Sequence, residues 1–231
     1  GPNSDTLISS ANQNFTLTDT NFTRTDGASA TLLSVELAVL TGGAGNNILD
    51  AAAFHGSVTF DGAGGANTLT GGFGSDLFIV NAGANNIVNG GGGSNVLVSN
   101  GDANYVLTNT SLSRSDVGSL IQTLSSVQEA RLTGGASQNQ FTVTGWTHLA
   151  KLDGAGNTDT LVAAGNADFT LTDALLTVST GGSFQLVSIE AAALTGGSGP
   201  NTLDASGFSG DVTLDGADDI DMLKGSAGHN I

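Results

Sequence analysis

The chain contains no cysteine and very little positive charge. Its 231 residues include 5 Lys and Arg against 21 Asp and Glu, which gives a formal net charge of -16. Without cysteine there is neither a disulfide framework nor a thiolate site. With so few cations the sequence lacks an electrostatic footprint for nucleic acid, and an anionic membrane surface would repel it. Cations and neutral sugars are left as classes of partner.

Long apolar runs are missing as well. No stretch of about 18 apolar residues occurs, so the sequence predicts no membrane insertion. No signal peptide is apparent in the first residues. Gly1-Pro2 is typical of an expression scar left by a protease site, so we expect the natural ends to lie outside this sequence.

Glycine, in contrast, is abundant, with 35 residues against 2 prolines. The glycines are not scattered. They separate short segments that alternate apolar and polar residues, such as NFTLTD from Asn14, GSVTFDG from Gly56 and GDVTLDG from Gly210. This pattern is typical of β-strands joined by glycine turns, and we therefore predict an all-β chain.

An internal repeat is the strongest signal in the sequence. NFTLTD at Asn14 returns as DFTLTD at Asp168, and a third copy begins with NYVLTN at Asn104. Each copy closes on a leucine, and these leucines recur at a nearly constant long interval that one much shorter interval interrupts: Leu7, Leu69, Leu97, Leu161 and Leu223. Self-similarity on this scale indicates a solenoid.

The domain organisation follows from this spacing. Three long repeats occupy about 8–69, 98–161 and 162–223, an insert occupies 70–97, and a partial repeat occupies 224–231. Glycines about 20 residues apart divide each long repeat into three rungs, which suits a parallel β-helix. We therefore predict a single continuous β-solenoid over 3–231, namely a right-handed parallel β-helix with a short β-roll-like insert.

Two sets of aromatic residues occupy equivalent positions in the long repeats: Phe15, Tyr105 and Phe169, and Phe54, Trp146 and Phe208. Inward-pointing alternation in segments such as FTLT predicts that these rings form columns in the solenoid interior. A sugar-binding surface would instead require exposed rings.

Two family resemblances follow from these motifs. GGFGSDLFI, from Gly71 to Ile79, fits GGxGxDxUx (U is a large apolar residue) and resembles the nonapeptide of calcium-binding RTX β-rolls. The long repeat SVELAVLTGGAGNNILDAAAF and its copy SIEAAALTGGSGPNTLDASGF resemble modules of very large bacterial β-strand-repeat surface proteins. The latter resemblance implies a secreted or cell-surface location and a structural or adhesive role. Its partners would be flanking repeats of the same larger chain, cell-surface glycans or other cells.

Calcium is the one cofactor that the RTX resemblance implies, bound between stacked turns by backbone carbonyls and the sixth residue of the motif. Calcium takes six to eight oxygens, and carboxylates raise its affinity. Only one of the two stacked turns in the insert supplies a carboxylate. Stacked Asn side chains can instead form a hydrogen-bonded ladder, so both interpretations stay open. The candidate ligands are Gly72, Gly74, Asp76, Gly91, Gly93 and Asn95.

A second candidate is the acidic segment DGADDIDML near the end of the sequence. Its four carboxylates belong to Asp215, Asp218, Asp219 and Asp221. Close carboxylates repel one another unless a cation binds or water screens them. The segment is therefore either a calcium site or a solvated acidic turn.

Parallel β-helices also include polysaccharide-active enzymes. A glycosidase needs two carboxylates about 5 to 9.5 Å apart. The recurring Asp61, Asp153 and Asp215 are expected at least three rungs apart, or about 14 Å and more on the strand spacing. This spacing argues against a glycosidase, and the resemblance to surface-protein modules implies a non-enzymatic structural or adhesive module. An RTX-like module that folds or stiffens on calcium is the alternative, and a polysaccharide-active β-helix enzyme is a minor one.

Overall fold

A computed structural model describes residues 3–81, 85–116 and 120–231. The predicted expression scar, residues 1–2, lies outside them, as do residues 82–84 of the insert. The described residues form 25 strands and no helix, which confirms the all-β prediction. The strands belong to two mostly parallel sheets, an architecture compatible with a β-solenoid.

The chain divides into two compact units, Gly1–Ser99 with Leu120–Ala130 and Asn100–Ser119 with Arg131–Ile231. The strands of the first unit are β1 (Thr6–Ser10), β2 (Phe15–Thr18), β3 (Asn21–Arg24), β4 (Ser29–Thr31), β5 (Leu37–Thr41), β6 (Ile48–Ala53), β7 (Ser57–Asp61), β8 (Thr68–Thr70), β9 (Leu77–Ile79), β10 (Ile87–Asn89), β11 (Val96–Asn100, its last residue in the second unit) and β14 (Leu120–Ser125).

The strands of the second unit are β12 (Tyr105–Thr108), β13 (Ser111–Arg114), β16 (Gln140–Thr142), β17 (Leu149–Asp153), β18 (Thr160–Ala164), β19 (Phe169–Thr172), β20 (Leu175–Val178), β21 (Ser183–Val187), β22 (Ala191–Thr195), β23 (Thr202–Gly207), β24 (Asp211–Asp215) and β25 (Met222–Lys224). One further strand, β15 (Glu129–Thr133), has residues in both units.

Parallel pairing in the first unit follows the repeat of the sequence. Leu37 pairs with Ser57, Thr59 with Leu77 and Leu77 with Val96. The second and third of these steps along the chain are slightly shorter than the first, and both end in the insert. Because side chains alternate between the two faces of a strand, this register stacks inward residues on inward residues.

The second unit repeats this pairing, with a longer chain segment between some of the paired strands. Gln140 pairs with Thr160 and Ala191 with Asp211, and these two steps along the chain are equal in length. The step from Thr160 to Ala191 is longer, because strands β19, β20 and β21 lie between them in the chain. Each of these pairs is parallel and in register.

Each long repeat also contains antiparallel strands, so the expectation of three parallel rungs per long repeat is wrong. Strand β2 pairs antiparallel with β3, and β3 with β4. The same arrangement recurs in β12 with β13, and in β19, β20 and β21. A long repeat therefore combines parallel rungs with a short antiparallel segment.

A threonine hydroxyl closes the first turn of each antiparallel segment. Thr18 Oγ1 accepts a hydrogen bond from the backbone N–H of Asn21 at 3.0 Å, three residues along the chain. Equivalent bonds, at 3.0 and 3.1 Å, join Ser111 to Thr108 and Leu175 to Thr172. A side chain that satisfies a backbone donor at this spacing favours a tight turn over a continuing strand.

The recurring aromatic residues lie in the interior, as predicted. Each is at most 2% exposed: Phe15, Tyr105, Phe169, Phe54, Trp146 and Phe208. Stacked rings also join neighbouring strands, since Phe60 and Phe78 lie nearly parallel with centroids 5.0 Å apart. The interior is therefore built from columns in which one rung packs directly on the next.

Candidate functional site

Eight of the turns between strands fall into two kinds, and each of the eight ends in an Asn or Asp. The first kind, which we name GG turns, begins with Gly-Gly and spans 42–47, 71–76, 134–139 and 196–201. In each GG turn the backbone N–H of the second glycine donates to the side chain of the closing residue, at 2.7 to 2.9 Å. The closing side chain in a GG turn is therefore an acceptor for its own turn.

The second kind spans 61–67, 89–95, 153–159 and 215–221, and we name these αL turns. The residues four and two before the closing residue have φ between +54° and +78°. This left-handed backbone leaves turn carbonyls facing the closing side chain. Asn67 Nδ2 donates to Gly64 O at 3.0 Å, and Asn95 Nδ2 donates to Gly92 O at 2.9 Å. The closing side chain in an αL turn therefore lies where a hydrogen-bond donor to the turn carbonyls is needed.

Side chains of closing residues also link each rung to the next. Asn47 N donates to Asn67 Oδ1, Asn67 N to Asn86 Oδ1 and Asn86 N to Gln122 Oε1, each at 2.8 Å. In the second unit Asn139 N donates to Asp159 Oδ1 at 2.7 Å. These ladders satisfy buried backbone donors that lie beyond the ends of the strands.

Two features of the ladder could not be read from the repeat pattern. The closing residue after Asn67 is Asn86, which is buried, and not Asn85, whose Oδ1 accepts from Ile121 N at 2.9 Å. Glu and Gln side chains also take part in the ladder, which the Asn and Asp pattern of the turns did not predict. Gln128 Oε1 accepts from Asn95 N at 2.8 Å, because a longer side chain reaches back where the turn lacks Asn or Asp.

A recurring tripeptide marks these longer side chains. SVE, SVQ and SIE end at Glu36, Gln128 and Glu190, and the serine of each has φ between +49° and +53°. Glu36 and Glu190 accept from Asp5 N and Asp159 N, both at 2.9 Å. The tripeptide was the sequence signal that could have identified them.

The structure brings the residues of the first calcium candidate into two stacked turns. Gly72, Gly74 and Asp76 belong to a GG turn, and Gly91, Gly93 and Asn95 to an αL turn. The turns are joined by bonds from Gly92 N to Gly72 O at 2.8 Å and from Asp76 N to Asn95 Oδ1 at 2.9 Å. Oxygens that would ligate calcium therefore already accept protein hydrogen bonds.

Asp76 is 2% exposed, and both of its carboxylate oxygens accept backbone bonds. Oδ1 accepts from Val58 N at 2.7 Å and Oδ2 from Gly72 N at 2.9 Å. Burial raises the pKa of Asp76 to about 6, and the two backbone donors oppose that rise. A cation at this carboxylate would share or displace the two backbone bonds.

The second candidate does not form one cluster. Asp215 Oδ1 accepts from Ala217 N at 3.0 Å, Asp219 Oδ1 from Ile220 N at 2.9 Å and Asp221 Oδ1 from Asn201 N at 2.8 Å. The Asp218 backbone N–H donates to Gly197 O at 3.2 Å. Across the described ranges, no three His, Cys, Asp or Glu side chains are grouped so as to hold a metal ion.

Truncating Asn95 tests the ladder. Asn95 is 0% exposed, accepts from Asp76 N, and donates through Nδ2 to Gly92 O and Ser126 O, both at 2.9 Å. We expect Asn95→Ala to cost about 2 kcal/mol of unfolding free energy, because a buried N–H loses its acceptor. Urea unfolding followed by circular dichroism measures this loss.

The matched control is Asn46→Ala, in which an exposed Asn loses one bond from Ala66 N. We expect this variant to lie within about 0.5 kcal/mol of the wild type. Amide hydrogen exchange adds a local measurement, since exchange at Asp76 N–H should accelerate in Asn95→Ala alone. Unchanged exchange there would contradict the ladder.

The described part of the chain has no helix of the length and apolarity needed to cross a membrane. Comparison with protein-family models, with curated proteins and with solved structures finds no match to this chain.

Proposed function

We propose that the chain is a non-enzymatic structural or adhesive module of a larger secreted or cell-surface bacterial protein. Its finer fold would be a right-handed parallel β-helix with a short β-roll-like insert. The nearly constant, in-register parallel steps and the repeating turns support this proposal. Such a stack is stabilised mainly by contacts between neighbouring rungs, which suits a scaffold that extends by repetition.

The observation that carries the proposal is the ladder of closing residues. In a metal-dependent scaffold the turns would rely on a cation to hold their oxygens together. Here the buried closing side chains Asn47, Asn67, Asn95 and Asn139 are hydrogen-bonded to the protein itself. The hydrogen-bonding groups of these four side chains are therefore satisfied by the backbone of their own turn and by the next rung.

Calcium dependence separates this scaffold from the RTX-like alternative. We expect the same thermal midpoint in about 1 mM EDTA and in about 5 mM calcium, because no bond in the ladder requires a cation. A calcium module at 100 times its Kd would gain about 2.7 kcal/mol. On a chain of this size that gain corresponds to a rise of about 5 to 10 °C.

Asp76→Asn is the matched variant for this measurement. A calcium-induced rise in the wild type that disappears in Asp76→Asn would overturn the ladder proposal in favour of the RTX-like module. For each of the two proteins we expect the same midpoint with and without calcium.

An exposed aromatic pair supports the adhesive form of the proposal. Phe73 is 58% exposed and stacks on His55, with ring centroids 4.4 Å apart. The other Phe, Tyr and Trp residues of the chain are all buried. His55 is held in turn by Asp19, whose Oδ2 lies 2.7 Å from His55 Nδ1. An open ring beside an ordered polar group suits the apolar face of a neutral sugar.

A glycan array distinguishes an adhesive module from a passive spacer. We expect neutral glycans to be bound by the wild type and bound at least about tenfold more weakly by Phe73→Ala, since most of the contact area is the ring. Phe22→Leu, a change within the core, is the control for general damage. Absence of binding by the wild type would leave only the spacer form of the proposal.

A further inference from the structure

Asp159 occupies a position at which the fold requires a hydrogen-bond donor. It closes the αL turn 153–159 and is 0% exposed. Its Oδ1 accepts from Asn139 N at 2.7 Å, whereas its Oδ2 is buried and has no hydrogen-bond donor. Orphaned buried carboxylate oxygens are costly, so this atom requires an explanation.

The turn that ends at Asn95 is the matching case with an amide. Asp76 N donates to Asn95 Oδ1 and Asn95 N donates to Gln128 Oε1. Asn139 N donates to Asp159 Oδ1 and Asp159 N donates to Glu190 Oε2 in the same way. The two closing residues therefore sit in the same set of ladder bonds.

The remaining side-chain atom also has the same surroundings in both turns. Asn95 Nδ2 donates to Ser126 O, and an ideal Cβ placed on Gly90 would lie 2.4 Å from that nitrogen and 2.0 Å from that oxygen. A Cβ placed on Gly154 would lie 2.4 Å from Asp159 Oδ2 and 2.1 Å from Ser188 O. Asp159 Oδ2 thus faces the Ser188 carbonyl where Asn95 presents an N–H.

The backbone agrees with this equivalence. Gly91 and Gly93 have φ of +74° and +69°, and Ala155 and Asn157 have φ of +69° and +78°. Ala155 N donates to Asp153 Oδ1 at 3.1 Å, so the turn offers no N–H to Asp159 of the kind that Gly72 offers to Asp76. Two facing oxygens repel unless a proton lies between them.

We propose that Asp159 is held as a neutral carboxyl whose Oδ2–H donates to the Ser188 carbonyl oxygen, and that losing this proton weakens the second unit. The charged groups acting on Asp159 are Glu190, Asp102 and Asp153, and all three are acidic. Burial is the largest cause that raises the pKa of Asp159, the Asn139 backbone N–H opposes that rise, and these three carboxylates raise the pKa further. The sign follows from linkage: the folded state holds the proton more tightly, so stability falls as pH rises from the unfolded to the folded pKa.

The test is Asp159→Asn, which installs the amide found at Asn95. Thermal midpoints are measured between about pH 4.5 and 8.5 in EDTA. We expect the midpoint of the variant to rise relative to that of the wild type as pH increases. Asp168→Asn is the control, since it removes one charge at an exposed site where Asn14 and Asn104 make the equivalent bond. The proposal would be overturned if the midpoint of Asp159→Asn did not rise relative to the wild type with pH. An equal relative rise in Asp168→Asn would also overturn it.

Carboxyl ¹³C NMR adds a direct readout. We expect one Asp ¹³Cγ resonance, absent from Asp159→Asn, to keep its protonated shift at a pH where exposed aspartates have ionised. A resonance that titrates at the ordinary Asp value of about 3.9 would overturn the proposal. So would a calcium-induced rise in midpoint that requires Asp159, because a cation would then occupy the place assigned to the proton.

Discussion

Replacing Phe78 by alanine is expected to lower the unfolding free energy of the first unit by about 3 to 5 kcal/mol. Phe78 is 0% exposed, and its ring stacks on Phe60 with an interplanar angle of 4°. It lies on β9, a strand of three residues with few other inward side chains. Truncation therefore removes apolar contact and opens a cavity that so short a strand cannot fill by repacking.

Phe73→Ala is the matched control for this prediction. It is the same substitution, slightly earlier in the same insert, at a ring that is 58% exposed. We expect it to lie within about 0.5 kcal/mol of the wild type in urea unfolding. Similar losses in both variants would show that the interior column does not hold the insert together.

The stability of the first unit is expected to fall by about 2 kcal/mol as pH rises from about 4 to about 6, through Asp76 alone. The pKa of Asp76 is raised to about 6 in the folded protein, chiefly by burial. The unfolded chain has the ordinary Asp value of about 3.9, so the folded state binds the proton more tightly between these values. The contribution is fully present below the unfolded pKa and is lost above the folded pKa.

Asp76→Asn isolates this contribution, because it removes the titrating group. The measured quantity is the difference in unfolding free energy between wild type and variant, which should decrease with rising pH and level off above about pH 6.5. Asp50→Asn, which makes the same change of charge on β6, controls for the general loss of an acidic group. A pH-independent difference for Asp76→Asn would contradict the prediction.

Asp76 and Asp159 show how one residue type meets opposite requirements. Asp76 receives two backbone N–H bonds, which is the arrangement that a carboxylate needs. Asp159 receives one and faces a carbonyl with its other oxygen. GGFGSD and GAGNTD end in the same residue, so the distinction depends on the φ values of the turn and not on the closing aspartate.

Much of the fold was predictable, because the repeat length and the apolar alternation within each repeat indicate the strands and their inward positions. The alternation in FTLT placed Phe15, Tyr105 and Phe169 in the interior, and the structure confirms this. The ladder was one of two interpretations that the Asn-rich turns left open. The sequence could not choose between them, since a turn glycine serves both a tight backbone and a calcium site.

The antiparallel segments and the Glu and Gln side chains were not predicted. NFTLTDTNFTRT alternates like any strand pair, and only the bond from Asn21 N to Thr18 Oγ1 shows where the chain reverses. Gln122 and Gln128 lie 36 and 33 residues after the donors that they serve, beyond the reach of a repeat of about 20 residues. Partners at such separations become visible only when the strands are paired.

The sequence by itself determined the strand content, the repeat, the inward columns and the acidic character of this protein, because each follows from local alternation and composition. The tertiary structure alone decided which closing residues accept and which must donate. That decision depends on where neighbouring backbone N–H and C=O groups come to lie once the rungs are stacked. It makes Asp76 a satisfied carboxylate and assigns Asp159 its proton.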